Sequence, residues 1–209
     1  MNLGIIILAI SAVGYVSNWL NGRFLNHRIT HLLYYIGTIV HETSHAIMCV
    51  FTGARIQEFH VFSRQPQVVH TKSKIPLLGA ALISSAPIAG GLAFLFLVNH
   101  FLLGDHFAVS FAGMSWNDLL PRLLSLIRQL NPLEWQSWVI LALFLNIGAI
   151  IGPSYQDLKN MWPALVVMFF IHSGLIASIG LLAIGLILVN IAIQICLVLM
   201  VKIFVRTRT

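Results

Sequence analysis

Long apolar runs make up most of this chain, and each is long enough to cross a lipid bilayer as a helix. The runs are Leu3–Leu20, Ile29–Gly53, Pro76–Leu103, Trp135–Gly152 and Trp162–Val201. About 20 apolar residues span the hydrocarbon core, where a backbone must satisfy its own hydrogen bonds, as a helix does. Since the last run is too long for one crossing, we expect it to turn between His172 and Gly180. The sequence therefore predicts an all-α polytopic membrane protein with about six transmembrane helices.

Composition favours one membrane-embedded domain over residues 1–209. Hydrophobic residues make up 58% of the chain, charged residues make up 9%, and the mean hydropathy is +0.90. No linker, low-complexity segment or charge run marks a separate soluble domain. The first apolar run lacks a basic leader and a small-residue cleavage site, which predicts a retained anchor. Cys49 and Cys196 lie in apolar runs and offer no disulfide framework.

The net charge of +6 is scattered along the chain, which favours contact with the lipid bilayer and excludes a nucleic-acid-binding patch. Basic residues in short loops set the orientation of a membrane protein. One side of the predicted topology holds Arg55, Arg64, Lys72, Lys74, Lys159, Lys202, Arg206 and Arg208, and the other holds Arg23, Arg28, Arg122 and Arg128. We therefore expect a multi-pass protein of the cell membrane with both termini in the cytoplasm.

The second apolar run contains the sequence His41-Glu42-Thr43-Ser44-His45. On a helix, His-Glu-x-x-His places two imidazoles one turn apart on one face, the arrangement that zinc prefers, with a carboxylate between them that can move protons. Ionisable side chains in a membrane span are costly and usually serve a function. The run predicts a zinc site with His41 and His45 as ligands, inside the cytoplasmic leaflet. The other interpretation is a set of interhelical hydrogen bonds without a metal.

A catalytic zinc ion takes a third protein ligand, and the chain has few acids that can supply it. Asp157 returns to the same side of the membrane after two further crossings, so it is the best-placed candidate. Glu58 lies in the loop directly after the helix and requires that loop to fold back. Cys49 shares the helical face but lies about 12 Å along the axis from His41. His27 and His31 lie four residues apart without an intervening acid, and we interpret them as interfacial histidines.

The segment 115–130 mixes leucines with Arg122 and Arg128. It predicts either a helix lying flat in the outer membrane interface or an ordinary helical connector. Earlier in the chain, the small residues around Pro87 permit a kink or a very close helix contact.

Two motifs together resemble the site-2 protease family of intramembrane zinc metalloproteases. They are His-Glu-x-x-His-Ala at residues 41–46 and a distant Pro-Ser-x-x-Asp at residues 153–157. In that family two histidines and a downstream aspartate bind zinc, and the glutamate is the catalytic base. The resemblance implies that His41, His45 and Asp157 bind one zinc ion per chain and that Glu42 is the base.

The resemblance covers a core of about residues 30–163, with the spans at about 3–20 and 164–201 as additions. Residues 52–56 and the following loop look like the family's short strand region, where an extended substrate segment pairs by strand addition. The common family pattern of Asn-x-x-Pro followed by Asp-Gly is not present here, which indicates a divergent branch. Asn146, eleven residues before Asp157, either orients substrate or forms an interhelical hydrogen bond.

These observations predict a zinc endopeptidase that cleaves other membrane proteins in or near their transmembrane segments. Such cleavage would release a cytoplasmic regulator or clear membrane remnants. Two alternatives keep the same fold. One is an inactive relative that holds membrane proteins, against which the intact Glu42 argues. The other is a metal or proton transporter, which would spread polar residues over several helices.

Overall fold

The computed structural model describes residues 2–24, 34–63, 66–75, 78–105, 114–170 and 172–206. Within these ranges the chain forms seven α-helices and one two-stranded antiparallel sheet. The helices are α1 (Leu3–Phe24), α2 (Tyr35–Thr52), α3 (Leu78–Phe101), α4 (Trp116–Gln129), α5 (Trp135–Ile150), α6 (Tyr155–Met168) and α7 (Gly174–Arg206), and the strands are β1 (Ile56–His60) and β2 (Gln67–His70). The all-α membrane fold with a short strand pair after the His-Glu-x-x-His helix is confirmed.

Three helices of the described chain are long and apolar enough to cross a membrane: α1, α3 and α7. A fourth span is formed if α5 and the first half of α6 are counted together, although their axes are bent by 54°. The expected fifth span beginning at Trp162 is instead the second half of α6, and α7 begins only at Gly174. Hydropathy could not locate the bend between α5 and α6, because the helices on both sides of it are apolar.

The first and last helices run in the same direction. Ile6 lies against Gly180 near the start of each helix, and Ser17 Oγ accepts hydrogen bonds from Asn190 (3.0 Å) and Gln194 (3.2 Å) further along. In a simple alternation of six crossings the first and last helices would run in opposite directions, so the parallel course of α1 and α7 differs from that arrangement.

This course also changes the distribution of charge. It places Lys202 and Arg206 at the opposite end of the bundle from Arg55, Lys72 and Lys74, which adjoin the end of α2 and the start of α3. Lys202 and Arg206 therefore do not belong to the basic side that the sequence predicted, and the excess of basic residues on that side is smaller than expected.

Close helix contacts surround the middle of α2. A Cβ atom added to Gly90 of α3 would collide with the Ser44 side chain, and one added to Gly37 would collide with the Asn146 backbone of α5. The small residues around Pro87 thus permit the close contact that was expected, within a continuous α3. A large apolar core between α1, α3, α5 and α7 holds these contacts together.

The strand pair folds back beside α2. Gly53 ends α2 in the left-handed conformation (φ 71°), which glycine adopts without steric cost. The ring of Phe62, beyond β1, lies 6.1 Å from that of Tyr35 at the opposite end of α2. After β2, Lys74 N and Ser73 Oγ both donate to the Thr52 carbonyl, at 3.1 and 3.0 Å. The strand pair is therefore fixed alongside the helix that carries the histidines.

The segment 115–130 is a helix that packs lengthwise against α7. The backbone N–H of Met114 donates to Ser178 Oγ (3.0 Å), and Leu119 and Leu123 lie against Gly185. Ser115 and Asp118 form a capping box at its start, and these hydrogen bonds hold the pKa of the Asp118 carboxyl below its ordinary value. This packing fits a helical connector better than a helix lying flat in the interface.

Candidate metal centre

Three side chains from two helices converge in the interior. His41 and His45 lie one turn apart on α2, and Asp157 lies in the first turn of α6. His41 Nε2 and His45 Nε2 are 3.1 Å apart, and the Asp157 carboxylate lies 3.5 Å from His45 Nε2 and 3.9 Å from His41 Nε2. One donor atom from each residue lies within 4.8 Å of the others, so the three could hold a single metal ion.

Backbone carbonyl groups orient both imidazole rings. His41 Nδ1 lies 2.8 Å from the Ile150 carbonyl oxygen, and His45 Nδ1 lies 2.8 Å from that of Ile83. A carbonyl oxygen can only accept, so each Nδ1 carries the proton and each neutral ring presents the Nε2 lone pair. Histidine ligands of metals are commonly oriented in this way by a second hydrogen bond.

Both carbonyl groups are available because a helix is interrupted nearby. Ile150 is the last residue of α5, where carbonyl groups lack intrahelical partners. Ile83 lies four residues before Pro87, which has no N–H to donate to the Ile83 carbonyl. A proline inside α3 thus supplies the acceptor that orients His45.

Asp157 is oriented by the start of its own helix. Its Oδ2 accepts hydrogen bonds from the Ser154 backbone N–H (2.9 Å) and hydroxyl (2.7 Å), while the Asp157 N–H donates to Ser154 Oγ (3.1 Å). This reciprocal pair is a capping box, which fixes the carboxylate to the helix backbone. Oδ1, the oxygen nearer to His45, faces the imidazoles.

The donor set fits a zinc ion. Two neutral imidazoles present lone pairs to one another at 3.1 Å, beside a carboxylate, which is repulsive without a cation between them. Tetrahedral ligands about 2.0–2.2 Å from zinc lie about 3.3–3.6 Å apart, close to the observed separations. Two histidines with one carboxylate leave a fourth position open, as in catalytic zinc sites.

Glu42 lines the same cavity as the three donors. The cavity has a volume of about 350 Å³, and its wall includes β2 residues as well as α2, α3 and α6. Gln67, Val68 and His70 of β2 line this cavity together with Glu42. Strand β2 therefore borders the centre.

The other candidates from the sequence lie elsewhere. Glu58 is exposed on β1, 3.7 Å from His60, and Cys49 is buried in a small apolar cluster with Ala54 and Ile83. Asn146 Oδ1 accepts from the Gly37 N–H at 3.5 Å, which supports the interhelical interpretation. His27 and His31 lie outside the described residues.

Sequence reasoning noted Ser154 and Pro87 but missed their roles at the centre, and it missed the polar residues Gln156 and Asn160 on α6. Ser154 had a signal, because Ser-x-x-Asp is a capping-box pattern. No sequence signal indicated the role of Pro87, because His45, the partner of the Ile83 carbonyl, lies 38 residues earlier in the chain.

The fold and the donor set together define a membrane protein with a candidate metal centre of two histidines and one aspartate. The family model described as Peptidase M50B-like matches residues 6–175. The chain belongs to this family, which confirms its relationship to the site-2 proteases. No curated protein and no solved structure matches the chain.

Proposed function

We propose that this protein is a zinc endopeptidase that hydrolyses peptide bonds in or near the transmembrane segments of other membrane proteins. The observation that carries the proposal is the convergence of His41, His45 and Asp157 in a cavity that also contains Glu42. Membership of a peptidase family and the apolar helices support it.

Each part of the site has a role in the reaction. Zinc held by His41, His45 and Asp157 would polarise the scissile carbonyl and lower the pKa of a water molecule towards about 7. Glu42 removes a proton from the attacking water and delivers it to the leaving amine nitrogen. The cavity wall also contains the polar residues Ser84, Ser154 and Gln67, which can hydrogen-bond to water or to a substrate backbone.

Strand β2 offers a means of presenting the substrate. A transmembrane helix hides its backbone, so a scissile bond must become extended before hydrolysis. Strand β2 pairs with β1 along one edge only and lines the cavity together with Glu42, so its other edge can pair with an extended segment by strand addition. Such pairing would place the substrate backbone next to the metal donors.

The two alternatives fit the site less well. A protein that only holds membrane proteins has no use for a carboxylate beside the metal donors, yet Glu42 lines the cavity. A transporter needs a polar route through the bundle, whereas the apolar core between α1, α3, α5 and α7 closes the interior beyond the centre.

We also propose that the protein lies in the cell membrane with the end of α2 and the start of α3 facing the cytoplasm. Arg55, Lys72 and Lys74 lie in this early connection, and positively charged short loops mark the cytoplasmic side.

The test is proteolysis of a panel of model transmembrane substrates in liposomes by wild-type protein and by Glu42→Gln, with zinc measured in both. We expect cleavage by the wild type only and about one zinc ion per chain in each, because Glu42 is not a ligand. His41→Ala and Asp157→Ala should lose zinc. A zinc-loaded wild type that cleaves no substrate, or equal cleavage by Glu42→Gln, would overturn the proposal.

A further inference from the structure

A second, larger groove continues from the metal cavity. The groove has a volume of about 990 Å³ and shares six wall residues with the cavity. The shared residues are Val68, His70, Ile83, Ser84, Gln156 and Asn160. A peptide whose scissile bond lies at the metal donors can therefore extend into the groove without leaving the protein.

The groove leads from the middle of α2 towards its C-terminal end. Its far wall contains Lys72, Ser73 and Ile75, in the segment that is hydrogen-bonded to the Thr52 carbonyl. Thr52 lies about 10 Å along the helix axis from His45 and about 16 Å from His41. An extended chain covers that distance in three to five residues, at about 3.3 Å per residue.

The walls of the groove suit a peptide backbone. On α6, Gln156 Nε2 donates to Asn160 Oδ1 (3.1 Å), and this bond does not use the Asn160 amide nitrogen, a donor, or the Gln156 carbonyl oxygen, an acceptor. On the other wall, His70 Nδ1 is held by the Thr71 carbonyl at 2.8 Å. Ile75, Ala80 and Ile83 provide apolar surface between these polar groups.

Charge distinguishes the far end of the groove. Among the described residues that line it, Lys72 alone carries a permanent charge, and no Asp or Glu is present there. Arg55 and Lys74 lie nearby in the same connection. The side chain of Lys74 packs against Gly53 and does not line the groove. A positive charge without an acidic partner in the wall would attract an acidic side chain and repel a basic one.

We propose that Lys72 selects substrates with an acidic residue three to five positions from the scissile bond, on the side of the bond that enters the groove. This inference rests on the proposed protease function. Many membrane proteins carry basic residues beside their transmembrane segments. Lys72 would therefore discriminate against such flanks in favour of acidic ones.

The test uses a model transmembrane substrate in which a single Asp, Asn or Lys is placed at each position from six before to six after the scissile bond. For the wild type we expect kcat/KM with Asp to exceed that with Asn by about 2- to 5-fold, only on one side of the bond and three to five positions away. The preference should diminish as salt is raised, because the pair is exposed to solvent. Lys72→Glu should invert it in favour of Lys.

Lys74→Glu is the matched control, because it changes the net charge equally but lies outside the groove; it should retain the Asp preference. Lys72→Gln, which keeps a polar side chain, should abolish the preference if Lys72→Glu does not fold. Equal cleavage of the Asp, Asn and Lys substrates by the wild type would overturn the inference and leave the protease function standing. Inversion of the preference by Lys74→Glu would overturn it too. Failure to cleave any substrate in the series would instead count against the proposed function.

Discussion

At the scale of single residues, the centre depends on main-chain groups as much as on side chains. Both imidazoles are oriented by carbonyl oxygens at 2.8 Å. Each of these carbonyl groups lacks a hydrogen-bond partner within its own helix, because the helix is interrupted there. Pro87 is the clearer case, because a single substitution would restore the missing N–H. The sequence indicated the donor residues, but it could not indicate which backbone groups orient them.

Replacement of Pro87 by Ala should weaken zinc binding by about 10- to 100-fold. The new N–H would compete with His45 Nδ1 for the Ile83 carbonyl. The metal-free protein should unfold at the same or a higher temperature, since a proline inside a helix costs about 3 kcal/mol. Zinc affinity is measured by competition with a chromophoric chelator, and stability by thermal unfolding without metal.

Pro121→Ala in α4 provides the control for this experiment, because it also removes a proline from inside a helix but far from the centre. It should leave zinc affinity unchanged. Unaltered affinity in Pro87→Ala would show that the Ile83 carbonyl does not orient His45.

At the scale of elements, the position of the centre depends on how closely α3 approaches α2. Gly90 lies directly against Ser44, between the two histidine positions. A glycine at such a point lets two backbones approach, which is how membrane helices gain packing energy. The His45–Ile83 hydrogen bond depends on this approach.

Gly90→Ala should destabilise the protein by about 1–3 kcal/mol, because its Cβ would overlap the Ser44 side chain. Unfolding in detergent measures the loss. The double variant Gly90→Ala/Ser44→Ala should lose less than the sum of the two single variants, since it removes the overlapping hydroxyl group.

Gly174→Ala is the corresponding control, because an added Cβ there meets no atom within 4 Å. We expect a change within about 0.5 kcal/mol. If Gly90→Ala lowered the free energy of unfolding no more than Gly174→Ala does, Gly90 would not lie in tight contact with Ser44.

At the scale of the whole molecule, the parallel course of α1 and α7 sets the topology. Ile6 lies against Gly180, and Ser17 pairs with Asn190, so both helices begin at one end of the bundle. Asn190 and Gln194 are fully or almost fully buried, and their hydrogen bonds to Ser17 fix the register. The two added helices thus form one unit.

We predict that tags placed before α1 and after α7 lie on opposite faces of the membrane, and that residue 55 lies on the same face as the tag before α1. Protease protection of the tags in sealed vesicles tests the first statement. Labelling of Arg55→Cys with an impermeant maleimide, in a background where Cys49 and Cys196 are replaced, tests the second. Both tags on one face would support the topology of six spans expected from the sequence.

The sequence by itself determined the membrane class, the helical fold and the two-histidine motif, because apolar run length and helical spacing are local properties. It also favoured Asp157 over Glu58, since few acids are available and the chain must return to one side. Only the tertiary structure decided the bend between α5 and α6, the parallel course of α1 and α7, and the orienting carbonyl groups of Ile83 and Ile150. Each of these depends on contacts between residues far apart in the chain, which hydropathy and spacing do not record.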